Sequence, residues 1–557
     1  MTWTQNFTPV GGSLGWSALV AIVPTLFFFW ALAIKRMKGI YAGVLTLIIS
    51  LMIAVVVYKM PVTMAIMSGV QGAVYGLTPI AWIIITTVFL YKLTVKTGQF
   101  HIIRSSIVSI TEDTRLQALL IAFCFGAFLE GAAGFGTPVA ICASLLVGLG
   151  FNPLYAAGLC LFADTAPVAF GSIGIPVIAV AGPTGLPAMD ISKMIGRQLP
   201  FISLLIPFYM VFVMVGWKKT KEVLPAILVT GISFGLSQFL SSNFLGPELP
   251  DILSALVSMI CTTVFLKVWK PKHIHRFQQQ EGGIVEVAAT AERYTGGQIL
   301  KAWSPFLVLT LFITLWGVNG FKDALIGNYK GSNGFLVAMN SIGKALSFHP
   351  AVPGLHNLVI SNGKPVAAVF KLELLGAAGT AVLLAALVTK FMLSISWKDW
   401  FLTFGETISE LKFPILTICS VVGFAYITNA SGMSVTLGKA VASTGALFPF
   451  VSPILGWLGV FITGSDTSSN LLFGNLQKVS ATSVGMKPVL AVAANCSGGV
   501  MGKMISPQSI AVACAAVGMP GNESKLFLFT VKHSIILVLS ICVITYLQYS
   551  VFSWMIP

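Results

Sequence analysis

The chain has 557 residues, 56% of them hydrophobic and only 9% charged, with 33 Lys and Arg against 18 Asp and Glu. Soluble domains carry about 25% charged residues, so a water-soluble globule is excluded: too little polar surface exists to cover so much apolar surface. The basic excess lies in short clusters between apolar runs, where it sets membrane topology, and no nucleic-acid-reading motif accompanies it.

The start, "MTWTQNFTPVGGS", lacks a basic leader region, so the first apolar run, Leu14 to Ile34, reads as a retained span and not a cleaved signal. Runs of about 20 apolar residues, enough to cross a hydrocarbon layer of about 30 Å, recur to Phe529–Tyr549. The cluster "KRMK" (Lys35 to Lys38) places the first loop inside and the N-terminus outside, and the clusters ending at Lys221 and Arg276 fall on the same inner side. Between them "SSNFLGPELPD", with two carboxylates and no base, reads as an outer loop, and "FHIIRSSIVSI" from Phe100 as an interfacial helix. Residues 270–302 read as a polar cytoplasmic linker between an N-terminal half, 1–269, and a C-terminal half, 303–557. Residues 321–365 form a second polar region on the opposite face, and the C-terminus is expected outside. Eight scattered cysteines form no CxxC pair and read as packing residues, with no disulfide and no metal site. His273 and His275 lack further ligands, and His533 reads as an unremarkable inner-flank residue.

The halves resemble each other at an offset of 335 positions. Pro79 answers to Pro414, and "GLGFNPLYAA" from Gly148 lies over "SVGMKPVLAV" from Ser483, pairing Gly150 with Gly485 and Pro153 with Pro488; Gly98 and Gly432 match with a one-residue slip. The span after Pro79 ends on a basic flank, whereas the span after Pro414 begins on one, so the units, about 77–217 and 412–555, run in opposite directions. Inverted repeats are a transporter signature, with the site at their interface near mid-membrane.

Within these units the apolar runs are interrupted. "EGAAGFG" from Glu130 lies over "SDTSSNL" from Ser465, each between apolar arms of roughly a dozen residues, and "ADTAPVAFGS" (Ala163 to Ser172) lies over "GGVMGKMISP" (Gly498 to Pro507). Open backbone at bilayer depth survives only against protein or a wet cavity. The four breaks therefore predict two re-entrant hairpins and two unwound helices in an all-α polytopic membrane protein, with helix N-termini offering N–H groups to a small anion. The bland alternative, small-residue packing seams, explains a glycine cluster but not the hydroxyls and acid of "GSDTSSN". The ionisable groups in the breaks are Glu130, Asp164, Asp466 and Lys503. Such groups are costly at that depth and mark function. Glu130, among alanine, glycine and phenylalanine, is the first candidate for a proton carrier; the alternative is a structural hydrogen bond to hairpin backbone. Lys503 is a candidate to hold a carboxylate as a point charge; the alternative is that it neutralises Asp466 or Asp164. No P-loop, GxSxG or HExxH pattern stands in a credible setting, so neither ATP-driven pumping nor an enzyme is indicated.

Several long stretches closely resemble the bacterial L-lactate permease family: "VKTGQFHIIRSSI", "FCFGAFLEGAAGFGTPVAI", "LYAAGLCL", "TAPVAFGSIGIP", "LSSNFLGPELPDI", "GVFITGSDTSSN" and "GKMISPQSIAVACAAVG", in family order from "PTLFFFW" to "WMIP". The resemblance implies proton-coupled uptake of L-lactate, with D-lactate and glycolate as further substrates, at the bacterial cytoplasmic (inner) membrane, with no cofactor. It also places the chain beside the wider ion-transporter superfamily, whose dimeric scaffold carries a mobile unit of paired hairpins, so a homodimer is implied by analogy. One departure stands out: Asp164 occupies a position where the family often has asparagine. A proton carrier should not be interchangeable with an amide, so Asp164 ranks below Glu130 and Asp466 for proton coupling.

The substrate site is accordingly expected from Gly131, Gly134, Phe135, Gly136, Thr165, Ser465, Thr467, Ser468, Ser469, Asn470, Asn495, Lys503, Ser506 and Gln508. Lactate's carboxylate would meet helix N-termini, Lys503 or serines, its hydroxyl Asn470, Asn495 or Gln508, and its methyl Phe135. Sodium coupling is the alternative within the same class, since "SDTSSN" and "ADTAP" offer oxygen ligands. A passive organic-anion channel is the alternative outside it.

Overall fold

The computed structural model describes residues 2–35, 37–134, 136–276 and 294–557. Among them, 12 helices are long and apolar enough to cross a membrane, or up to 13 when the bent pair Pro153–Ala163 and Val168–Thr184 is taken as one span. Large side chains such as Trp16, Phe244 and Val268 lie exposed on outward faces, the arrangement expected where hydrocarbon and not water is the solvent.

The 335-residue offset holds in the backbone. Helical stretches Val62–Lys96 and Trp397–Ser431 have 35 residues each and stand in that register. In the first, Thr78 ahead of Pro79 is extended, as the residue before a proline favours. Both stretches stop at a left-handed glycine, Gly98 (φ 73°) and Gly432 (φ 89°), which has no Cβ to clash and turns the chain into a ten-residue helix, Gln99–Val108 or Met433–Ala442.

Next comes a hairpin in each half. The outgoing arms are Thr114–Ala132 and Gly445–Thr463, 19 residues each; the return arms are Thr137–Gly148 and Asp466–Ser483. The expected dozen-residue arm length holds for Thr137–Gly148 alone. The others are longer because helix continues through "CFGAFLEGA" and "TSSNLLFGN", where the polar and glycine residues read as interruption are helical. Broken helices follow: Pro153–Ala163 with Gly171–Thr184, and Pro488–Lys503 with Pro507–Ala516. Prolines open three of these four segments, where the missing N–H costs no bond.

Each hairpin's return arm packs on the other half's broken helix. Ser144 Oγ on the first donates to the Ala516 carbonyl at 2.8 Å, and Lys478 Nζ on the second donates to the Thr184 carbonyl at 2.5 Å. This reciprocal exchange is what two inverted units produce when their tips meet.

Other expectations shift. The fourth break is confined to Met504–Ser506, because Gly498–Lys503 stays helical. There Gly498 and Gly502 bring the helix against the backbone carbonyls of Pro453 and Trp457, with no room for a Cβ; for these two glycines the packing-seam alternative is the right one. The expected outer loop "SSNFLGPELPD" is largely helical: Ser241–Phe244 end one helix, and Pro250 and Asp251 begin Pro250–Val268, both buried. The span Gly296–Gly317 starts inside the expected linker, behind a capping box of Thr295 and Gln298; linker residues 277–293 lie outside the described residues. The polar region 321–365 folds into short helices, among them Gly334–Ala345, and small sheets; in one, Trp3–Thr4 pairs in parallel with Val359–Ser361.

Candidate functional site

The four breaks converge on a cavity of about 620 Å³. The tips that build it are set by local chemistry. Gly136 and Gly464, at φ 80° and 70°, reverse the chain at the hairpin turns. Ser465 Oγ caps the second return arm by accepting from Ser468 N–H at 3.2 Å, and Ser506 Oγ caps Pro507–Ala516 by accepting from Ser509 N–H at 3.1 Å. On the first broken helix, Ser172, Ile173 and Gly174 are left-handed in succession (φ 47°, 59° and 72°). A β-branched residue there is strained, as happens where surrounding packing over-determines the backbone at a functional site.

Lys503 is the centre of charge. Its Nζ donates to Glu130 Oε1 at 2.9 Å and lies 3.0 Å from Asp164 Oδ2, with all three side chains buried. Glu130 comes from the first hairpin and Asp164 from the break in the first broken helix, whereas Lys503 ends the helix before the fourth break. The ion pair therefore joins the two repeats. Lys503 is thus partly what the structural alternative foresaw, a neutraliser of Asp164, while still facing the cavity beside Glu130. Glu130 Oε1 bonds this lysine and not hairpin backbone. Gly171 makes room for it: a Cβ there would lie 2.5 Å from Glu130 Oε1.

Asp466 lines the same cavity. Its Oδ2 accepts from Asn470 Nδ2 at 3.1 Å and from the Cys496 thiol at 2.8 Å, so Cys496 is a hydrogen-bond donor to the site and more than a packing residue. Gly499, where a Cβ would collide with Asp466 Oδ1, makes the space.

Of the other expected residues, Gly136, Ser465, Thr467, Ser468 and Gln508 line the cavity. Gly131, Gly134, Thr165, Ser469, Asn470, Asn495 and Ser506 do not. Gly131 packs on Asp251 and Ile252, and Gly134 on Ser172. Thr165 and Ser469 spend their hydroxyls on the carbonyls of Phe162 and Gly456. Asn470 and Asn495 are fully buried and bond each other, Asn495 Nδ2 to Asn470 Oδ1 at 2.8 Å, in a chain that continues through Gln477 to Ser452. Phe135 lies outside the described residues. His533 is buried between Phe162, Phe529 and Tyr209, whose hydroxyl bonds its Nδ1.

Sequence reasoning also missed Gly171, Ser172 and Ser509, which line the cavity. The first two sit in the quoted motif "TAPVAFGSIGIP", where a glycine beside a serine was a usable signal. The cavity extends along Phe28, Leu32 and the Pro414 region to Met37 and Lys38 in the first loop. Among the described residues, no cluster of three or more His, Cys, Asp or Glu is arranged to hold a metal ion.

A helical, multi-pass chain whose two inverted hairpin units enclose a charged cavity at their junction is, by class, a membrane transporter. Comparison with known proteins names the family. Residues 17–552 match the family model described as L-lactate permease. An L-lactate permease of Bacillus subtilis (strain 168) is 67% identical over 563 residues, covering 100% of both chains. The glycolate permease GlcA of Escherichia coli (strain K12) is 53% identical over 570 residues, again covering 100% of both. Among solved structures, the YdaH transporter of Alcanivorax borkumensis aligns with a TM-score of 0.47 and 13% identity, covering 87% of this chain and 88% of that one. The chain belongs to the L-lactate permease family.

Proposed function

We propose that the protein imports L-lactate, with D-lactate and glycolate as further substrates, by proton symport across the bacterial cytoplasmic membrane, with both termini outside. Family membership and the substrates for which its relatives are named support the substrate class. The coupling rests on one observation: Lys503, in the wall of the cavity, is shared by two carboxyl groups.

A 2-hydroxymonocarboxylate entering the cavity carries the same acceptor group that Lys503 already holds. An ammonium has three donors and one charge, so it cannot neutralise Glu130, Asp164 and a substrate carboxylate together in a low-dielectric site. Glu130 then releases Lys503 to lactate only when a proton takes the place of the ion pair, since an unpaired buried carboxylate costs several kcal/mol. Substrate and proton thereby bind as a pair, and the loaded site crosses without added charge. Gln508 and Ser468 are at hand for the substrate hydroxyl, and Ile175 and Val512 provide apolar wall for the methyl. Lys38, at the far end of the cavity, raises the local concentration of anions at the inner mouth. The two repeats are the moving unit in this reading, and a homodimer is its expected assembly.

The test is uptake of labelled L-lactate into proteoliposomes under a pH gradient with sodium absent. Accumulation is expected, and unlabelled glycolate should compete. Accumulation only after sodium is added would replace protons with sodium. Equilibration without accumulation would make the protein a channel.

A further inference from the structure

One charged group beside the site has no part in that scheme. Asp251 opens the helix Pro250–Val268 and is 1% exposed, and neither of its carboxyl oxygens has a hydrogen-bond partner among the described residues. Its backbone neighbour is Gly131, the residue after Glu130: a Cβ on Gly131 would lie 2.8 Å from Asp251 Cβ and 3.1 Å from Ile252 N. The glycine thus lets the two acid-bearing helices touch. Three charged groups face Asp251 across these contacts: Glu130 from the first hairpin, Asp164 from the break in the first broken helix and Lys503 from the second broken helix. On its own side, Glu248 lies three residues back and interacts with Lys322, beyond the spans. The Cys124 thiol, on the hairpin arm, meets Ser258 further along the same helix. Asp251 does not line the cavity.

Asp251 therefore stands as a third carboxyl group near a lysine that reaches only the other two, Glu130 and Asp164. An ionised carboxylate without donor or counter-ion is heavily penalised, and a proton removes most of that penalty. Burial, a missing partner and proximity to an exchangeable ion pair are together the properties of a proton-holding station. A purely structural aspartate would have captured a helix N–H or a side-chain donor.

We propose that Asp251 is a proton-carrying group of the transport cycle, placed behind Glu130 and outside the substrate cavity, which hands its proton to the Glu130 carboxylate. This rests on the proton-symport reading. In the step, an O–H bond of Asp251 breaks, an O–H bond of Glu130 forms, and the negative charge passes to Asp251; nothing else is consumed. The proton then arrives from the Glu248 side while lactate leaves toward Lys38, so the two ligands reach Glu130 past different walls.

The experiment uses purified full-length protein in liposomes and three measurements: lactate-dependent alkalinisation of the outer medium, lactate accumulation under a pH gradient, and lactate/lactate counterflow at symmetric pH. Wild-type alkalinisation without sodium establishes symport first, so its absence refutes that reading and not the Asp251 assignment alone. With symport established, Asp251→Asn is expected to lose accumulation, which at one proton per lactate amounts to about tenfold per pH unit of gradient, while keeping counterflow and an unchanged lactate Kd. Glu130→Gln, at the cavity wall, should alter that Kd, which separates the two roles. Asp251→Ala, which leaves no polar group to bury, should repeat the Asp251→Asn pattern. Wild-type accumulation in either Asp251 variant, or loss of counterflow together with accumulation in both, overturns the proposal.

Discussion

Gly171→Ala tests the coupling with the least disturbance. Gly171 has φ −59° and ψ 154°, a conformation alanine adopts freely, so backbone strain does not enter. The new methyl would stand 2.5 Å from Glu130 Oε1 and 3.2 Å from its Cγ and Cδ. Ordinary contact requires Oε1 to retreat by roughly 1 Å. The obstacle is the far end of a flexible side chain, so the protein should fold with Glu130 displaced. A displacement of that size breaks the 2.9 Å bond to Lys503 Nζ; hydrogen bonds to charged groups contribute about 1.5–3 kcal/mol, a weakening of roughly 10- to 150-fold in the Glu130–Lys503 interaction. Once Glu130 no longer competes for the lysine, lactate binding no longer demands a proton. Gradient-driven accumulation should fall at least tenfold, while lactate/lactate exchange persists. The assay is paired uptake and counterflow in proteoliposomes, with Gly405→Ala as control, since a Cβ at Gly405 has no atom within 4 Å. Wild-type accumulation in Gly171→Ala would refute the shared-lysine account of coupling.

Glu130→Gln should abolish pH-driven uptake and leave pH-independent exchange partly intact; unchanged accumulation would remove the role given to Glu130. Lys503→Gln strips the counter-charge from two buried carboxyls, a loss of about 3–5 kcal/mol when one partner of a buried pair is removed. Its thermal midpoint in detergent should drop, and a combined Lys503→Gln, Asp164→Asn variant should recover part of that loss without recovering lactate binding. Outside the spans, burial and then the charges of Lys219 and Arg115 hold His275 below the usual histidine value of 6.5. A depressed histidine contributes stability that is present above the unfolded value and lost as pH falls through the folded one. The difference between the unfolding midpoints of wild type and His275→Gln should therefore be constant above about pH 7 and change on acidification, the wild type losing more. Parallel curves would contradict the assignment.

What the sequence disclosed and what it hid follow from one distinction. An ionisable or hydroxyl-rich segment inside an apolar run is costly wherever the chain goes, so "FLEGAAGFGTP" and "GSDTSSN" marked the site without coordinates. Helix starts were also local, because Pro153 and Pro488 suit a first turn and little else. The partner of a buried polar group is not local. Asn470 and Asn495 looked ready for a substrate hydroxyl, yet each is satisfied by the other across 25 residues. Asp251 follows Pro247, Glu248 and Pro250, a composition that suits a solvent loop; its burial depends on Gly131, 120 positions earlier. Glycines were ambiguous for the same reason: at Gly171 and Gly499 the missing side chain accommodates a carboxyl, and at Gly498 and Gly502 a neighbouring backbone.

The repeats are symmetric in backbone and asymmetric in charge, and the asymmetry is what makes one site out of two. Each hairpin brings a carboxyl group to the cavity, Glu130 or Asp466, and each half's broken helix brings the glycine that admits it, Gly171 or Gly499. Up to this point the halves are alike in kind, though the paired residues do not fall at equivalent positions. At the 335 offset, however, Asp164 answers to Gly499 and Lys503 to Val168. The breaks of the first half thus have a surplus acid and no base, while those of the second have the base and give one oxygen of Asp466 neutral donors, Asn470 and Cys496. Had both halves carried a lysine, each hairpin would close its own ion pair, and under the proposed scheme neither would need a proton to accept an anion. With one lysine drawn across the interface, the first hairpin is held to the second half by a charge that a carboxylate substrate can claim. In the proposed scheme that one contact would bind the substrate and register the proton, and it already joins the two units.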